Sequence, residues 1–195
     1  MSYDAIKESA LALFAKHGYE GTSLAQIAES VGIKKQSIYS HFKSKDDLFL
    51  QLLNETFEIE LIRVTNYLQE HFEKPLGDCL FKSLQSYIER FNNDSRMKFF
   101  LRISFFPPAH IYAQVMDALY EYIDQVDALY LERFKHAIEL KEMSGQAEIA
   151  TMAFSALIDS ICVELVYGGT KRTEKKLQAA WIVFWNGLTA SKNNS

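Results

Sequence analysis

The sequence predicts an all-α protein of about nine helices. Apolar residues recur at helical spacing along most of the 195-residue chain, and alternating, strand-like patterns are nearly absent. Only three prolines and eight glycines interrupt this length, and so few helix breakers favour long helices. Two modules are expected, a small one at residues 1–46 and a larger helical one at residues 47–195.

The composition is that of an ordinary folded protein, with 48% hydrophobic and 24% charged residues. The N-terminus lacks the pattern of a signal peptide, and no run of 18 uncharged apolar residues suggests a membrane span. Cys79 and Cys162 have no neighbouring cysteine or histidine at metal-ligand spacing, so we expect reduced core thiols in a cytoplasmic protein.

Positive charge is concentrated in one short segment of an otherwise acidic chain. The formal net charge is −4, yet the segment from Ile33 to Lys45 has four lysines, one histidine and no acid. Such a distribution suits a negatively charged partner that touches one end of the protein only.

The small module has the pattern of three helices. The first covers residues 3–17 and ends at Gly18, an expected left-handed cap. The second begins near Ser23, which forms a capping-box spacing with Gln26, and a break at Gly32 follows it. The third covers residues 35–41, with Ile38 and Phe42 turned to the core.

The larger module has the pattern of six more helices. Ser44 and Asp47 form another capping-box spacing and open a long helix that joins the two modules. Pro107-Pro108, Ser144-Gly145 and a glycine-led loop at residues 168–172 separate the later helices. The predicted ranges are 44–72, 75–91, 95–106, a long helix ending near 143, 146–167 and 173–190.

The second and third helices, joined at a glycine, have the organisation of a helix-turn-helix. In such a motif the second helix presents its outer face to the major groove of DNA. With Ile38 and Phe42 held in the core, Gln36 and Ser40 point the opposite way. The simpler interpretation is a solvated helix face, but the glycine, the spacing and the lysines favour contact with bases and phosphates.

The same segment resembles the tetracycline-repressor family in the order and spacing of its signature over about 30 residues. The matching positions are Gly18-Tyr19, Thr22-Ser23, Ile27-Ala28, Gly32-Ile33, Tyr39, His41-Phe42 and Lys45. The chain departs from the family at Lys34, where a serine cap is frequent, and at Gln36, where a small residue is common. These departures alter which bases are read rather than whether DNA is bound.

The resemblance implies a dimeric, cytoplasmic transcription regulator, more often a repressor, that binds an inverted-repeat DNA operator and is released by a small effector. No cofactor or metal and no membrane partner is expected. Phosphate contacts are implied at Thr22 or Ser23, Tyr39 and Lys45, and base contacts near Lys35, Gln36 and Ser37. The complete predicted DNA-binding set is Thr22, Ser23, Lys34, Lys35, Gln36, Ser37, Tyr39, Ser40, His41 and Lys45.

Aromatic residues crowd around Pro107-Pro108, beyond what a small helical bundle needs. Each of them taken singly is better explained as core, but the family binds effectors in a helical cavity, and an aromatic lining suits a lipophilic ligand. Asp159 within that cavity would favour a cationic ligand. The predicted lining is Phe99, Phe100, Ile103, Tyr112, Met116, Tyr120, Tyr130, Phe134 and Asp159.

The last two helices have broad apolar faces, which favour burial against a second copy of the chain over an internal core. The family pairs these helices into a four-helix dimer interface, and tryptophans are typical interface anchors. The predicted interface is Leu157, Ile161, Leu165, Trp181, Phe184, Trp185 and Leu188.

Two other classes of protein were considered. An all-helical enzyme is disfavoured because the sequence lacks HExxH, paired cysteine ligands, a phosphate-binding glycine loop and Gly-x-Ser-x-Gly. An architectural DNA-binding protein without an effector is poorly excluded, and only the response of DNA affinity to small molecules separates it from a regulator.

Overall fold

The computed structural model describes residues 3–190, which form two compact units. Unit 1 contains residues 3–60 and Asp94–Glu121, and unit 2 contains Leu61–Asn93 and residues 122–190. The described residues contain helices and no strand, which confirms the all-α fold class. The helices are α1 (Tyr3–His17), α2 (Leu24–Ser30), α3 (Lys35–Ile38), α4 (Lys45–Glu70), α5 (Leu76–Asn93), α6 (Ser95–Phe105), α7 (Tyr112–Glu139) and α8 (Ala147–Thr189), with a 3₁₀ turn at Ala109–Ile111.

Local capping interactions define the first helices of unit 1. Gly18 has a φ of +74°, the left-handed conformation that glycine adopts freely, and its N–H donates to the carbonyl of Phe14. Ser23 caps α2 in a complete capping box with Gln26, as the spacing predicts.

An aromatic cluster holds unit 1 together. Phe14 of α1, Phe49 of α4 and Phe99 of α6 are each at most 1% exposed. The ring centroid of Phe49 lies 5.1 Å from that of Phe14 and 5.4 Å from that of Phe99, and both pairs meet edge to face. Helix α6 is therefore part of the same core as the first helix of the chain.

Helix α3 is shorter than the predicted range 35–41. It ends at Ile38, and the following residues form tight turns in which His41 N–H donates to the carbonyl of Ile38. Lys34 occupies the N-cap position but makes no side-chain hydrogen bond to the helix. A short helix without a side-chain cap is weakly held by its own sequence, so its position depends on Ile38, which is fully buried.

The core of unit 2 combines aromatic packing with a buried hydrogen bond. Phe154 of α8 packs against Tyr130 and Phe134 of α7, with ring centroids 4.8 and 6.1 Å away. The Tyr130 hydroxyl shares a 2.5 Å hydrogen bond with the Ser83 hydroxyl of α5. This bond satisfies two polar groups that would otherwise be costly to bury.

A buried arginine fixes the segment between α4 and α5. Arg133 is 1% exposed; its Nη2 donates to the carbonyl of Lys74 at 2.6 Å and lies 3.8 Å from the carboxylate of Glu142. Glu142 in turn accepts a hydrogen bond from the N–H of Leu76 at the start of α5. One ion pair therefore anchors both sides of Pro75.

Helix α7 ends at Glu139, four residues before the predicted end near residue 143. The N–H of Glu142 donates to the carbonyl of Ala137, and the N–H of Lys141 donates to that of Ile138, which is the pattern of a Schellman motif. Lys141 takes the left-handed position with a φ of +59°. Because this position is usually held by glycine and here is a lysine, the sequence does not indicate that the helix ends at Glu139.

The two predicted helices 146–167 and 173–190 form one element, α8, with a kink at Gly169 (φ +69°, ψ 176°). Joining them reduces the nine predicted helices to eight α-helices within residues 3–190. Glu164, before the kink, pairs with Arg172 at 2.5 Å and with Lys176, both beyond it. These ion pairs bridge the position where the backbone leaves helical geometry.

Candidate nucleic-acid interface

The connection from α2 to α3 is a tight turn at Gly32. Gly32 has a φ of +69°, and its N–H donates to the carbonyl of Glu29. The N–H of Ile33 donates to the carbonyl of Ala28 at 2.9 Å. A side chain other than glycine would be strained at this backbone conformation, so the residue sets the angle at which α3 leaves α2.

The α2–α3 pair has one buried side and one exposed side. Ile27, Ala28, Ile38 and Phe42 are at most 2% exposed and form the buried side. The exposed side is polar and positively charged, and it carries Lys34, Lys35, Gln36, Ser37, Tyr39, Ser40 and His41. The structure thus brings seven of the predicted DNA-binding residues onto the accessible surface of one short segment.

Thr22 and Ser23 are largely occupied by intramolecular hydrogen bonds. Thr22 is 2% exposed, and its hydroxyl donates to the carbonyl of Gly18 at 2.9 Å. The Ser23 hydroxyl lies 2.9 Å from the side-chain oxygen of Gln26, within the capping box. Both residues position the start of α2, and a phosphate contact from either remains a prediction.

Lys45 is a structural clamp as well as a predicted phosphate ligand. Its ammonium donates to the carbonyls of Tyr19 at 2.9 Å and Thr22 at 3.0 Å, and it lies 3.7 Å from the centroid of the Tyr19 ring. An ammonium has three donors, and these two bonds tie the start of α4 to the segment that precedes α2.

Sequence reasoning missed a hydrogen-bonded group around Asp46. The Tyr19 hydroxyl donates to this carboxylate, and His110 Nε2 lies 3.1 Å from the same oxygen. Hydrogen bonds from Tyr19 first, and then from His110, lower the pKa of Asp46. Burial, followed by the hydrogen bond to Asp46, raises the pKa of Tyr19. Both pKa changes keep the Asp46 carboxylate ionised and the Tyr19 hydroxyl protonated at neutral pH.

Arg102 of α6 caps the C-terminus of α1 and was also missed. Its Nε donates to the carbonyl of Ala15 at 3.1 Å, and its Nη2 lies 3.4 Å from the carbonyl of Lys16. A guanidinium at this position satisfies free carbonyls and complements the negative end of the helix dipole. No local signal could reveal a partner 87 residues away along the chain.

This segment matches a known family of DNA-binding proteins. Residues 6–52, which contain α1 to α3 and the start of α4, match the family model for bacterial regulatory proteins of the tetR family. Over these residues the chain is similar to the tetR family. The resemblance to tetracycline repressors that the sequence predicts is thereby confirmed for this segment.

One relative of this chain is a negative regulator of a biofilm operon. The chain is 31% identical over 119 residues, 58% of its length, to the biofilm operon icaADBC negative transcriptional regulator IcaR of Staphylococcus aureus. The match spans 61% of the length of IcaR, so what IcaR regulates is not transferred to this chain.

Solved structures share the fold of the whole chain beyond the tetR-family domain. Escherichia coli NemR in its reduced form aligns with a TM-score of 0.75 at 16% identity, covering 95% of this chain and 97% of NemR. Bacillus subtilis FadR in complex with stearoyl-CoA aligns with a TM-score of 0.71 at 15% identity, covering 96% and 100%. At these identities the likeness concerns the fold alone.

The residues predicted to line an effector cavity are divided between the two units. In unit 1, Phe99, Phe100 and Ile103 are buried, Met116 is half-buried, and Tyr112 and Tyr120 are more than half exposed. In unit 2, Tyr130 and Phe134 are at most 1% exposed and belong to the core around Phe154. None of these residues lines the cavities described below, and the predicted lining remains untested.

Asp159 lies on the exposed side of α8, near Asp127 of α7. Partial burial, followed by the charge of Asp127, raises the pKa of Asp159. Burial likewise raises the pKa of Asp127, although a hydrogen bond with Ser155 opposes the change. This environment offers no support for a role of Asp159 in holding a cationic effector.

Some residues of the predicted dimer interface are buried within the single chain and others are not. Leu157, Ile161 and Leu165 are 9%, 2% and 1% exposed, so they offer little surface to a partner. Trp181, Phe184, Trp185 and Leu188 are half-buried. Sequence reasoning missed the apolar side chains of α8 that are exposed, namely Ile149, Met152, Val163, Tyr167, Ile182 and Val183.

Unit 2 contains two cavities of ligand size among its described residues. One, of about 340 Å³, is an open groove that includes Phe81, Trp181 and Trp185 together with Asp78 and Glu142. The other, of about 200 Å³, lies between α4 and α5. The second is called the α4–α5 cavity below and is lined by Arg63, Val64, Tyr67, Ser83, Ser86, Tyr87 and Arg90.

The clamp by Lys45 can be tested against a neighbouring lysine. We expect Lys45→Met to lower the free energy of unfolding by about 1–3 kcal/mol, because two backbone carbonyls lose a charged donor. Lys43→Met removes a charge from an exposed side chain and should change stability by less than about 0.5 kcal/mol. Urea denaturation of the two variants measures both values, and equal stabilities would exclude the clamp.

Proposed function

We propose that this chain is a dimeric transcription regulator, a repressor, that binds an inverted-repeat operator in the cytoplasm and releases it when a small effector binds. The observation that carries the proposal is the exposed, positively charged side of α3, from Lys34 to Ser37, set opposite the buried Ile38. The role of IcaR as a negative transcriptional regulator supports repression rather than activation.

Sequence-specific contacts are assigned to the first residues of α3. In helix-turn-helix proteins the N-terminal residues of the second helix reach base edges in the major groove. Gln36 is the one side chain in this set that can donate to and accept from the same adenine. Lys34 and Lys35 flank it and supply charge for neighbouring phosphates.

A pair of variants separates base reading from phosphate contact. Gln36→Ala should cost about 1–3 kcal/mol on the preferred operator and little on random DNA. Lys35→Gln should weaken binding to both, and it should reduce the slope of log affinity against log salt by about 0.9. Fluorescence anisotropy with labelled duplexes measures these quantities. Equal losses on both DNAs for Gln36→Ala would remove it as a base reader.

A second copy of the chain is the proposed partner for the exposed side of α8. Tyr167, Ile182 and Val183 are 69%, 59% and 75% exposed, far more than an apolar core helix allows. Part of α8 is apolar enough to cross a membrane, with a mean hydropathy of 1.8. Yet the helix is kinked at Gly169 and carries a charged run at 171–176, which suits a protein partner in water.

Operator symmetry follows from this pairing. One α3 touches too few base pairs to define a unique site, and a two-fold dimer doubles the readout with half-sites about one helical turn, or a multiple of it, apart. Effector release then requires that the ligand binds the two conformations of the dimer with different affinities. The FadR structure in complex with stearoyl-CoA is consistent with this fold accommodating a ligand.

Sedimentation velocity tests the dimer. The native protein should sediment at twice the 22.4 kDa mass of one chain at micromolar concentration. Tyr167→Asp combined with Val183→Asp should give single chains with unchanged helix content and no specific DNA binding. Ile62→Asp, which alters an apolar side chain of α4 that is 51% exposed, is the matched control and should remain dimeric. A native protein that sediments as a single chain would contradict the proposal.

A further inference from the structure

The α4–α5 cavity combines positive charge with apolar surface, and of its two arginines Arg63 is exposed and Arg90 is half-buried. It has a volume of about 200 Å³, smaller than the roughly 300–1,000 Å³ of typical drug-sized sites, so its occupant is small. Among the described residues, its lining includes two arginines, Arg63 and Arg90, and no acidic side chain. Val64 and the rings of Tyr67 and Tyr87 supply the apolar part of the wall.

The two arginines approach the cavity from different helices, Arg63 from α4 and Arg90 from α5. A guanidinium carries five N–H donors in a planar fork. Such a group can bond to the protein and to a ligand at the same time. This fork matches carboxylate and phosphate oxygens in pairs, which makes arginine the usual residue for recognising such groups.

Two hydroxyl groups of the lining, those of Tyr67 and Ser86, donate their hydrogen atoms to backbone carbonyls. The Tyr67 hydroxyl donates to the carbonyl of Cys79 at 2.7 Å, and the Ser86 hydroxyl donates to that of Ser83 at 2.7 Å. The Ser83 hydroxyl shares its hydrogen bond with Tyr130. The guanidinium groups of Arg63 and Arg90 therefore supply the charged donors for an acceptor group in this cavity.

A third arginine adds positive charge behind the cavity wall. Arg133 is 1% exposed, and neither its Nε nor its Nη1 has a hydrogen-bond partner. Its charge opposes the burial that raises the pKa of the Cys79 thiol, so it lies beside the residue whose carbonyl Tyr67 bonds. The carboxylate of Glu142, 3.8 Å from Nη2, offsets part of the cost of burying this charge.

We propose that the effector of this protein is a small organic anion, in which a carboxylate or phosphate group attached to an apolar body is held by Arg63 and Arg90 in the α4–α5 cavity. The proposal rests on the proposed function, in which an effector controls DNA binding, and it names the chemistry of that effector. It replaces the lipophilic or cationic ligand expected from the aromatic residues and Asp159. Because Arg63 lies on the helix that begins at Lys45, the bound anion contacts the element that continues into the DNA-binding domain.

Four probes of similar size and different charge test the ligand class. Benzoate and phenyl phosphate are anionic, benzamide is neutral and benzamidine is cationic, and each is titrated calorimetrically into the full-length protein. At least one anion should bind ten-fold or more tightly than benzamide and benzamidine. Which of the two binds tighter distinguishes a carboxylate effector from a phosphate effector. Failure of both anions to bind at millimolar concentration, or binding no tighter than that of benzamide, overturns the proposal.

Variants of the two arginines test the location of the site. Arg63→Gln and Arg90→Gln should each weaken anion binding ten-fold or more, whereas Arg90→Lys, which keeps the charge but loses the fork, should have an intermediate effect. Lys82→Gln removes an exposed positive charge from α5 outside the cavity and should leave binding unchanged. Thermal unfolding of each variant verifies that it is folded. Unchanged affinity in both folded glutamine variants overturns the assignment.

DNA affinity with and without the bound anion separates this inference from the proposed function. If an anion binds through the two arginines but leaves operator affinity unchanged, the anion site is supported and effector control is contradicted. Release from the operator by benzamide or benzamidine, with no effect of either anion, supports effector control and overturns the anion site.

Discussion

The contact of Phe49 with Phe14 and Phe99 is the constraint on which unit 1 depends. Three rings from α1, α4 and α6, all nearly inaccessible to solvent, occupy one core. A domain of three short helices buries too little apolar surface to be stable alone. The aromatic core makes up this deficit by including the start of α4 and the whole of α6, so the helices that carry the proposed DNA-binding surface are stabilised by residues distant in sequence.

Polar contacts then fix the positions of the helices that the aromatic core stabilises. Arg102 caps α1, Lys45 joins α4 to the carbonyls of Tyr19 and Thr22, and Asp46 accepts the Tyr19 hydroxyl. Each is a charged group whose partner is well defined, and such bonds are directional where apolar packing is not. The short α3 has no side-chain cap, so its orientation is set by these contacts. In this orientation its lysines and Gln36 are exposed. The proposed DNA contacts of unit 1 thus depend on residues that lie away from the exposed side of α3.

The features predictable from sequence are the local ones. The capping box of Ser23 and the glycine turns lie within a few residues of their partners, and the spacing of apolar residues identified the buried sides of α2 and α3. The contacts of Arg102 link positions 86–87 residues apart and leave no local pattern. In α8 both sides are apolar, so periodicity could not tell the buried Ile161 from the exposed Val183. The α4–α5 cavity could not be predicted because Arg63 and Arg90 lie on different helices and form no local pattern.

Hydrogen exchange measured by mass spectrometry on Phe99→Ala tests the central claim, that α6 and the DNA-binding helices share one core. Removing this ring should cost about 3–5 kcal/mol locally, as for other buried phenylalanines. Amide protection should fall together in α6, in α1 and at the start of α4, while α5 and α8 keep theirs. Loss of protection confined to α6, with α1 as protected as in the native protein, would contradict the account.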